Sequence, residues 1–321
     1  MKSVYIALGY GCNHRCVMCP LTDQDRNSGM FSYDYILSLL SNQELSVDDH
    51  VTLSGGEPTL CEYLYDLIEM LCNKGLRITL LTNCSGFSDF NNAHELFRRI
   101  NPAHFNVVTA IHSADAKLHD KITGVDGSFE QSIKGLHNLL DAGVNITIKH
   151  IITALTYRTL PEFSKMICRE FPPKAEVQFT SADYSGNALK NADMLAISFA
   201  ESQQKLDEAL YFLTRECIQP YKVSLIEMPL CACDSKYWQY FRITGDKLDL
   251  YVAPNAKETG GVMYQMANGC APMYPECENC SVRCFCPGAW NTAYNLIGNK
   301  LLRSIKCSII DNSYPKGDYS K

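Results

Sequence analysis

The chain has 321 residues, 46% of them apolar and 20% charged, a balance suited to a globular fold with a sizeable core. Its 29 basic and 35 acidic residues leave a net charge of −6, and no basic stripe gathers, which argues against nucleic acid as the main partner. No apolar run approaches the roughly 18 residues that cross a bilayer, and residues 1–10 lack the apolar core of a secretion signal. The protein is therefore expected in the cytoplasm, away from membranes.

In chain order, short β-branched or apolar runs at 4–8, 50–53, 76–81, 104–111, 144–152 and 176–180 read as strands. Amphipathic stretches at 33–40, 63–72, 93–100, 129–140, 160–169 and 202–216 read as helices between and after them. Asn73-Lys74-Gly75 and Asp141-Ala142-Gly143 each end a helix on a glycine just before the next strand. Six βα units in a row predict an α/β fold with a parallel sheet. A closed barrel needs eight units and about 250 residues. Residues 1–216 are therefore expected to form an open, TIM-like partial (β/α)6 barrel. Pattern alone leaves a flat doubly wound sheet as the alternative. After residue 217 the texture changes. Residues 222–226 read as one more strand, and the rest is rich in Cys, Gly, Pro and Tyr with weak periodicity. Residues 217–321 are expected to form a small cysteine-rich domain organised by metal rather than by a core.

Sixteen cysteines are the unusual feature. A long chain without an export signal keeps its thiols reduced, so metal ligation explains them better than disulfides do. Three lie between Cys12 and Cys19, and eight between Cys231 and Cys307. The five between, Cys61, Cys72, Cys84, Cys168 and Cys217, are expected to be small buried hydrophobes. The first group reads Gly11-Cys12-Asn13-His14-Arg15-Cys16-Val17-Met18-Cys19-Pro20, a C-x3-C-x2-C spacing. Three thiolates on one loop can share a cubane whose fourth iron is left open. A structural zinc site with His14 as fourth ligand is the competing reading, although zinc sites more often pair two-ligand knuckles. Strand two ends in Ser54-Gly55-Gly56-Glu57-Pro58. Two glycines there let the backbone approach a ligand at the carboxyl end of a parallel strand, though the segment also reads as an ordinary βα turn.

Together, these two segments resemble the radical S-adenosylmethionine (SAM) superfamily, over about residues 3–190. The resemblance implies that Cys12, Cys16 and Cys19 hold three irons of a [4Fe–4S] cluster. The amino and carboxylate groups of SAM would then chelate the fourth iron, with Gly55, Gly56 and Glu57 facing the amino end. Thr82-Asn83 resembles the family's Thr-Asn segment near the cofactor. Ser113 takes the place of a ribose- or carboxylate-binding hydroxyl, and Lys149 that of a carboxylate-binding arginine. The segments 120–124, 127–129 and 183–188 resemble the loops that flank helix four and follow strand six. There are departures: Met18 replaces a common aromatic residue, and Lys149 is a point charge without arginine's planar fork. The implied chemistry is one-electron reductive cleavage of SAM to methionine and a 5′-deoxyadenosyl radical, which removes a hydrogen atom from substrate.

The C-terminal cysteines resemble the auxiliary-cluster (twitch or SPASM) domains of the same superfamily. Cys277, Cys280 and Cys286 follow C-x2-C-x5-C, and Cys286-Pro287-Gly288 fits a C-x-G pattern. The most economical assignment is one auxiliary [4Fe–4S] cluster on Cys231, Cys277, Cys280 and Cys286. The full SPASM pattern wants a cysteine where Trp290 stands. Cys233, Cys270, Cys284 and Cys307 are left for a second cluster, and a structural zinc ribbon is the bland alternative. The layout resembles peptide maturases, including the His-Xaa-Ser type, which implies oxidation or crosslinking of a peptide side chain. A dehydrogenase or epimerase acting on a sugar or alcohol, and a non-catalytic iron–sulfur electron carrier, are the alternatives. The implied partners are a peptide or small-molecule substrate and an electron donor such as flavodoxin or ferredoxin. The chain begins almost at strand one, so no peptide-recognition domain is expected ahead of it. No catalytic acid or base is legible; Asp183, Tyr184 and Glu227 are candidates to line the substrate space, though each also reads as a surface or junction residue.

Overall fold

A computed structural model describes residues 2–242, 250–252 and 274–306. Cys270 and Cys307 lie outside the described residues. Seven parallel strands run side by side in chain order: β1 (Ser3–Ala7), β2 (His50–Ser54), β3 (Arg77–Leu81), β4 (Phe105–Ala110), β5 (Asn145–Ile152), β6 (Glu176–Ser181) and β7 (Lys222–Ile226). A short β8 (Leu250–Val252) pairs in parallel with the free edge of β1. A doubly wound sheet reverses its strand order at a switch point. Here the order of β1 to β7 never reverses, which removes the flat alternative. The sheet also runs past residue 216, because β7 pairs with β6 from Glu176↔Lys222 to Thr180↔Ile226.

Between the strands lie α1 (Asp23–Arg26), α2 (Tyr33–Ser41), α3 (Leu64–Asn73), α4 (Phe90–Arg99), α5 (Ala116–Thr123), α6 (Ser128–Asp141) and α7 (Leu160–Glu170). After β6 come α8 (Gly186–Lys190), α9 (Ala192–Leu195) and α10 (Phe199–Tyr211). A Ser198–Glu201 capping box starts α10 earlier than the apolar pattern indicates, and a π-helical turn, Phe212–Glu216, ends it.

Strand alternation divides the core from the mouth. Outward residues pack on helices: Phe105 lies 5.6 Å from Phe97 of α4, and His150 lies 4.4 Å from Phe163 of α7, ring to ring. The residues beside His150, Lys149 and Ile151, are half-buried on the other face. Truncating Phe163, which is fully buried, is expected to cost about 3–5 kcal/mol.

Two expectations change here. Cys168 and Cys217 are not free buried thiols; they form a disulfide between α7 and the end of the π-helical turn. Nearby, the Tyr221 hydroxyl donates to Phe171 O, with Ile167 O also in reach at 3.3 Å. The described C-terminal region also has a core. Trp238, Tyr274, Trp290 and Leu301 are buried in the same apolar cluster as the barrel helices. The helix α11 (Asn291–Ile297) reaches the loop after β6, where the Thr292 hydroxyl donates to Asp183 and accepts from Tyr184 N–H. Among the described residues, no helix is long and apolar enough to cross a membrane.

Candidate active site

The cysteine loop follows β1 and is held from three sides. On the β2 side, Gly56 N–H donates to Gly9 O at 2.9 Å and Glu57 N–H to Gly11 O at 2.8 Å. A Cβ on Gly56 would lie 2.1 Å from Gly11 O, and one on Gly55 would lie 2.1 Å from Gly9 O. The glycine pair thus serves a backbone-to-backbone seam, and the two amides are already engaged. On the α5 side, Arg15 N–H donates to Thr123 O and Val17 N–H to Ile122 O. On the α8 side, Ala188 N–H donates to Cys19 O, and Asn191 Nδ2 donates to Val17 O at 3.0 Å.

Cys12, Cys16 and Cys19 are free thiols on this loop. Burial pushes the Cys16 thiol up to about 12, with Cys19 and Cys12 adding to the shift, and burial also raises Cys12. Bare thiolates are disfavoured in such a set, whereas a cationic cluster would stabilise them. Among the described residues, no three His, Cys, Asp or Glu side chains are placed to share a single metal ion. A cluster has a different requirement, one thiol per iron. Arg26 supplies a second observation in favour of a cluster. It is 5% exposed, its Nη1 meets Asp23 at 3.1 Å, and its charge lies in the field of Cys19 and Cys16. Its buried Nε has no partner among the described residues, so a cluster sulfur beside it would satisfy the donor. The competing fourth zinc ligand, His14, is 3% exposed and feels the Asp120 charge from α5.

Glu57 is 1% exposed. Its carboxylate accepts from Thr59 N–H and Oγ1, Thr82 Oγ1 and Asn83 N–H, at 2.6–3.0 Å. Burial raises its pKa, and those donors pull it back down. Asn83 in turn donates from Nδ2 to Asn13 Oδ1 at 2.8 Å, and its Oδ1 accepts from Ser85. The end of β3 is thereby tied to the cysteine loop through Asn13. Ser113 is fully buried, and its Oγ accepts from Asp115 N–H at 3.0 Å, a turn cap.

Across the mouth, Lys149 of β5 lies 3.7 Å from Glu227 Oε2, which accepts from Thr180 Oγ1 of β6 at 2.6 Å. Glu227 has φ 56°, a strained region for a non-glycine residue, and the Ser181 hydroxyl donates to its carbonyl. Burial pushes the nearby Asp183 carboxyl above its ordinary range, and the Glu227 charge adds to that.

In the second cysteine set, Cys231, Cys277, Cys280 and Cys286 are free, and Cys231 feels the charges of Cys277 and Cys280, Cys277 that of Cys280, and Cys286 those of Cys231 and Cys277. Burial pushes Cys231 up to about 11 and Cys286 up to about 12. Leu230 N–H points at Cys286 Sγ (3.3 Å) and Ile305 N–H at Cys280 Sγ (3.5 Å). Cys284 is exposed, and Cys233 is buried beside Asp207 and Asp234.

Residues 6–167 match the family model of the radical SAM superfamily. The chain belongs to the radical SAM superfamily. Members use a [4Fe–4S] cluster and S-adenosylmethionine, and the donor sets above fit such clusters. Among curated relatives, Fe-coproporphyrin III synthase of Methanosarcina barkeri is 25% identical over 205 residues, 61% of this chain and 47% of that protein. The mycofactocin maturase MftC of Mycobacterium tuberculosis is 26% identical over 164 residues, 50% of this chain and 40% of its own. The chain thus spans less than half the length of these relatives. Among solved structures, Streptococcus suis SuiB bound to its precursor peptide SuiA superposes with a TM-score of 0.53 at 16% identity, over 70% of this chain and 49% of that one. That likeness supports the radical SAM fold.

Sequence reasoning missed Asn13, Arg26 and Asn191 at this site. Asn13 lies inside the cysteine motif, which marks it as a candidate. Arg26 and Asn191 also have local partners, Asp23 and Asn187, but the contacts that tie them to the cysteine loop, to Cys16 O and Val17 O, cross between segments and leave no local signal.

Proposed function

We propose that the chain is a radical SAM enzyme that abstracts hydrogen from a peptide side chain and thereby oxidises or crosslinks it. The observation that carries this reading is the cysteine loop: three free thiols held by the Gly55–Gly56 seam, with the orphaned Arg26 Nε beside them. When bound, the reduced cluster supplies one electron to SAM, releasing methionine and a 5′-deoxyadenosyl radical that takes the hydrogen atom.

In this reading Cys12, Cys16 and Cys19 hold three irons and leave the fourth for the methionine end of SAM. The Gly56 and Glu57 amides are engaged and the Glu57 carbonyl accepts from Leu60 N–H, so the Gly55 and Gly56 carbonyl oxygens are the acceptors suited to an ammonium group. Glu57 acts through Asn83, fixing the end of β3 against the loop. Ser113 and Lys149 are assigned to the ribose and carboxylate. Cys231, Cys277, Cys280 and Cys286 hold one auxiliary cluster, which would accept the electron left after hydrogen abstraction. Residues 1–216 carry the catalytic barrel, whose sheet takes β7 and β8 from the auxiliary-cluster region assigned to 217–321.

The peptide assignment is supported by the relative named as a maturase and by the four-cysteine set. A small-molecule substrate is the second reading, favoured by the longer match to Fe-coproporphyrin III synthase. The test is anaerobic. Protein reconstituted with iron and sulfide, then given dithionite and SAM, is expected to form 5′-deoxyadenosine, and Cys16→Ala is expected to form none. Absence of product from iron-loaded wild type overturns the reading and moves the electron-carrier alternative forward.

A further inference from the structure

After α11 the chain turns at Gly298–Lys300 and runs Leu301-Leu302-Arg303-Ser304-Ile305 past the second cysteine set. Leu301 and Leu302 are buried in the common core, and Leu301 O accepts from Phe199 N–H at the start of α10. At the other end, Ile305 O accepts at 2.9 Å from Ser281 N–H, the amide just after Cys280. Two amides of this segment face cysteine sulfur. Ile305 N–H points at Cys280 Sγ at 3.5 Å, and Arg303 N–H is directed at Cys231. They stand two residues apart, the spacing at which an extended chain turns like groups to one side. The segment is thus fixed by contacts that need no metal, and it bridges thiols from separate stretches of the chain.

The Arg303 amide and guanidinium both favour negative charge on Cys231, and the guanidinium does the same at the buried Cys233 beside it. In the first cysteine set the comparable donor, His14 N–H at 3.4 Å from Cys12 Sγ, comes from the cysteine loop itself. An iron–sulfur cluster that takes up an electron gains negative charge, part of it on sulfur. Hydrogen bonds to sulfur and nearby positive charge therefore stabilise the reduced form more than the oxidised one, and they help to set the potential. A segment anchored at both ends delivers such donors in a fixed position and pays no cost of ordering when the electron arrives.

We infer that the Leu301–Ile305 segment is a brace that raises the reduction potential of the auxiliary cluster, through the Arg303 and Ile305 amides and the Arg303 charge. The inference rests on the auxiliary cluster of the proposed function. In that reaction the substrate radical is oxidised by one electron and the cluster is reduced by one. The brace itself exchanges no bond, proton or electron; Arg303 and Ile305 are positioning residues.

The experiment uses the reconstituted full-length chain carrying Cys16→Ala, so that the auxiliary cluster alone gives a reduced signal. Its midpoint potential is read by electron paramagnetic resonance across a dithionite titration, in that background and with Ile305→Pro, Ile305→Ala, Arg303→Gln or Arg303→Lys added. Iron and zinc are measured on the same samples. Ile305→Pro deletes the N–H and is expected to weaken the hold on the electron about tenfold, a fall of about 59 mV for a one-electron couple. Ile305→Ala keeps the N–H and is expected to titrate like the background. Arg303→Gln is expected to weaken the hold about threefold, and Arg303→Lys to restore most of it. The proposal is overturned if Ile305→Pro and Arg303→Gln both titrate at the background potential, or if Ile305→Ala shifts as far as Ile305→Pro. Should Ile305→Pro lose its iron, the comparison of Arg303→Gln with Arg303→Lys decides. A background protein that holds zinc and gives no signal overturns the auxiliary-cluster reading and the brace with it. 5′-Deoxyadenosine is assayed separately with Cys16 intact; its absence sinks the radical SAM reading and leaves the potentials to decide the brace.

Discussion

The two cysteine sets are built in different ways. Cys12, Cys16 and Cys19 share one loop whose backbone is hydrogen-bonded to the end of β2, to α5 and to α8. Cys231 and Cys277 come from segments 46 positions apart, in a region where Trp238, Tyr274 and Trp290 are buried in the common core. The first site is therefore preorganised by backbone and needs metal mainly for chemistry. The second is assembled from tertiary contacts, so metal contributes more to its order.

The largest effect expected from this contrast is that of Gly56→Ala. Its Cβ would meet Gly11 O at 2.1 Å and Tyr10 O at 2.4 Å, and neither backbone can move without breaking the seam. A loss of about 3–4 kcal/mol is expected in urea unfolding, together with loss of iron from the first site. A cost below about 1 kcal/mol contradicts the seam.

Glu57→Gln comes next, because it sets an amide NH2 among four donors. A loss of about 2 kcal/mol is expected. The pH dependence has a definite sign. The folded pKa is raised, so the native state holds this proton more tightly than the unfolded chain does. The contribution of Glu57 to wild-type stability should therefore fall as pH rises from the ordinary glutamate range through the folded pKa. The wild-type minus Glu57→Gln difference, followed by urea titration across mildly acid pH, checks that direction.

Iron removal is a smaller perturbation that tells the two regions apart. After anaerobic chelation, amide exchange in residues 277–286 is expected to speed up about tenfold or more, with little change in 12–19. Equal acceleration in both segments would erase the distinction. The smallest effect belongs to Cys284→Ser. This thiol is exposed, so stability should move by less than about 0.5 kcal/mol and iron content should hold. Cys280→Ser is expected to lose the auxiliary iron.

The barrel and the first cysteine set were largely legible because their signals are local. Strand periodicity, helix-ending glycines and the C-x3-C-x2-C spacing each lie within a dozen residues. Three features were not. The glycines of Ser54-Gly55-Gly56 look ready for a ligand, yet their close neighbour is the backbone at Gly9 and Gly11, some 45 residues earlier in the chain. Glu57 looks like a ligand contact, yet it is a buried anchor, which depends on Thr82 and Asn83 arriving from the next strand. The Cys168–Cys217 pairing depends on how α7 meets the turn after α10, and cysteine counting cannot register that. In the C-terminal region the spacing singled out Cys277, Cys280 and Cys286, with Cys231 as the most economical fourth ligand. It gave no sign that Trp238, Tyr274 and Trp290 join the barrel's own core.

The central claim is that the three-cysteine loop leaves one iron open to SAM. It is tested most directly by electron paramagnetic resonance of the dithionite-reduced protein, recorded with and without SAM in a Cys231→Ala background that removes the auxiliary signal. The account predicts a reduced-cluster spectrum that changes shape when SAM is added, and no such spectrum after the further change Cys16→Ala. A spectrum indifferent to SAM would contradict it.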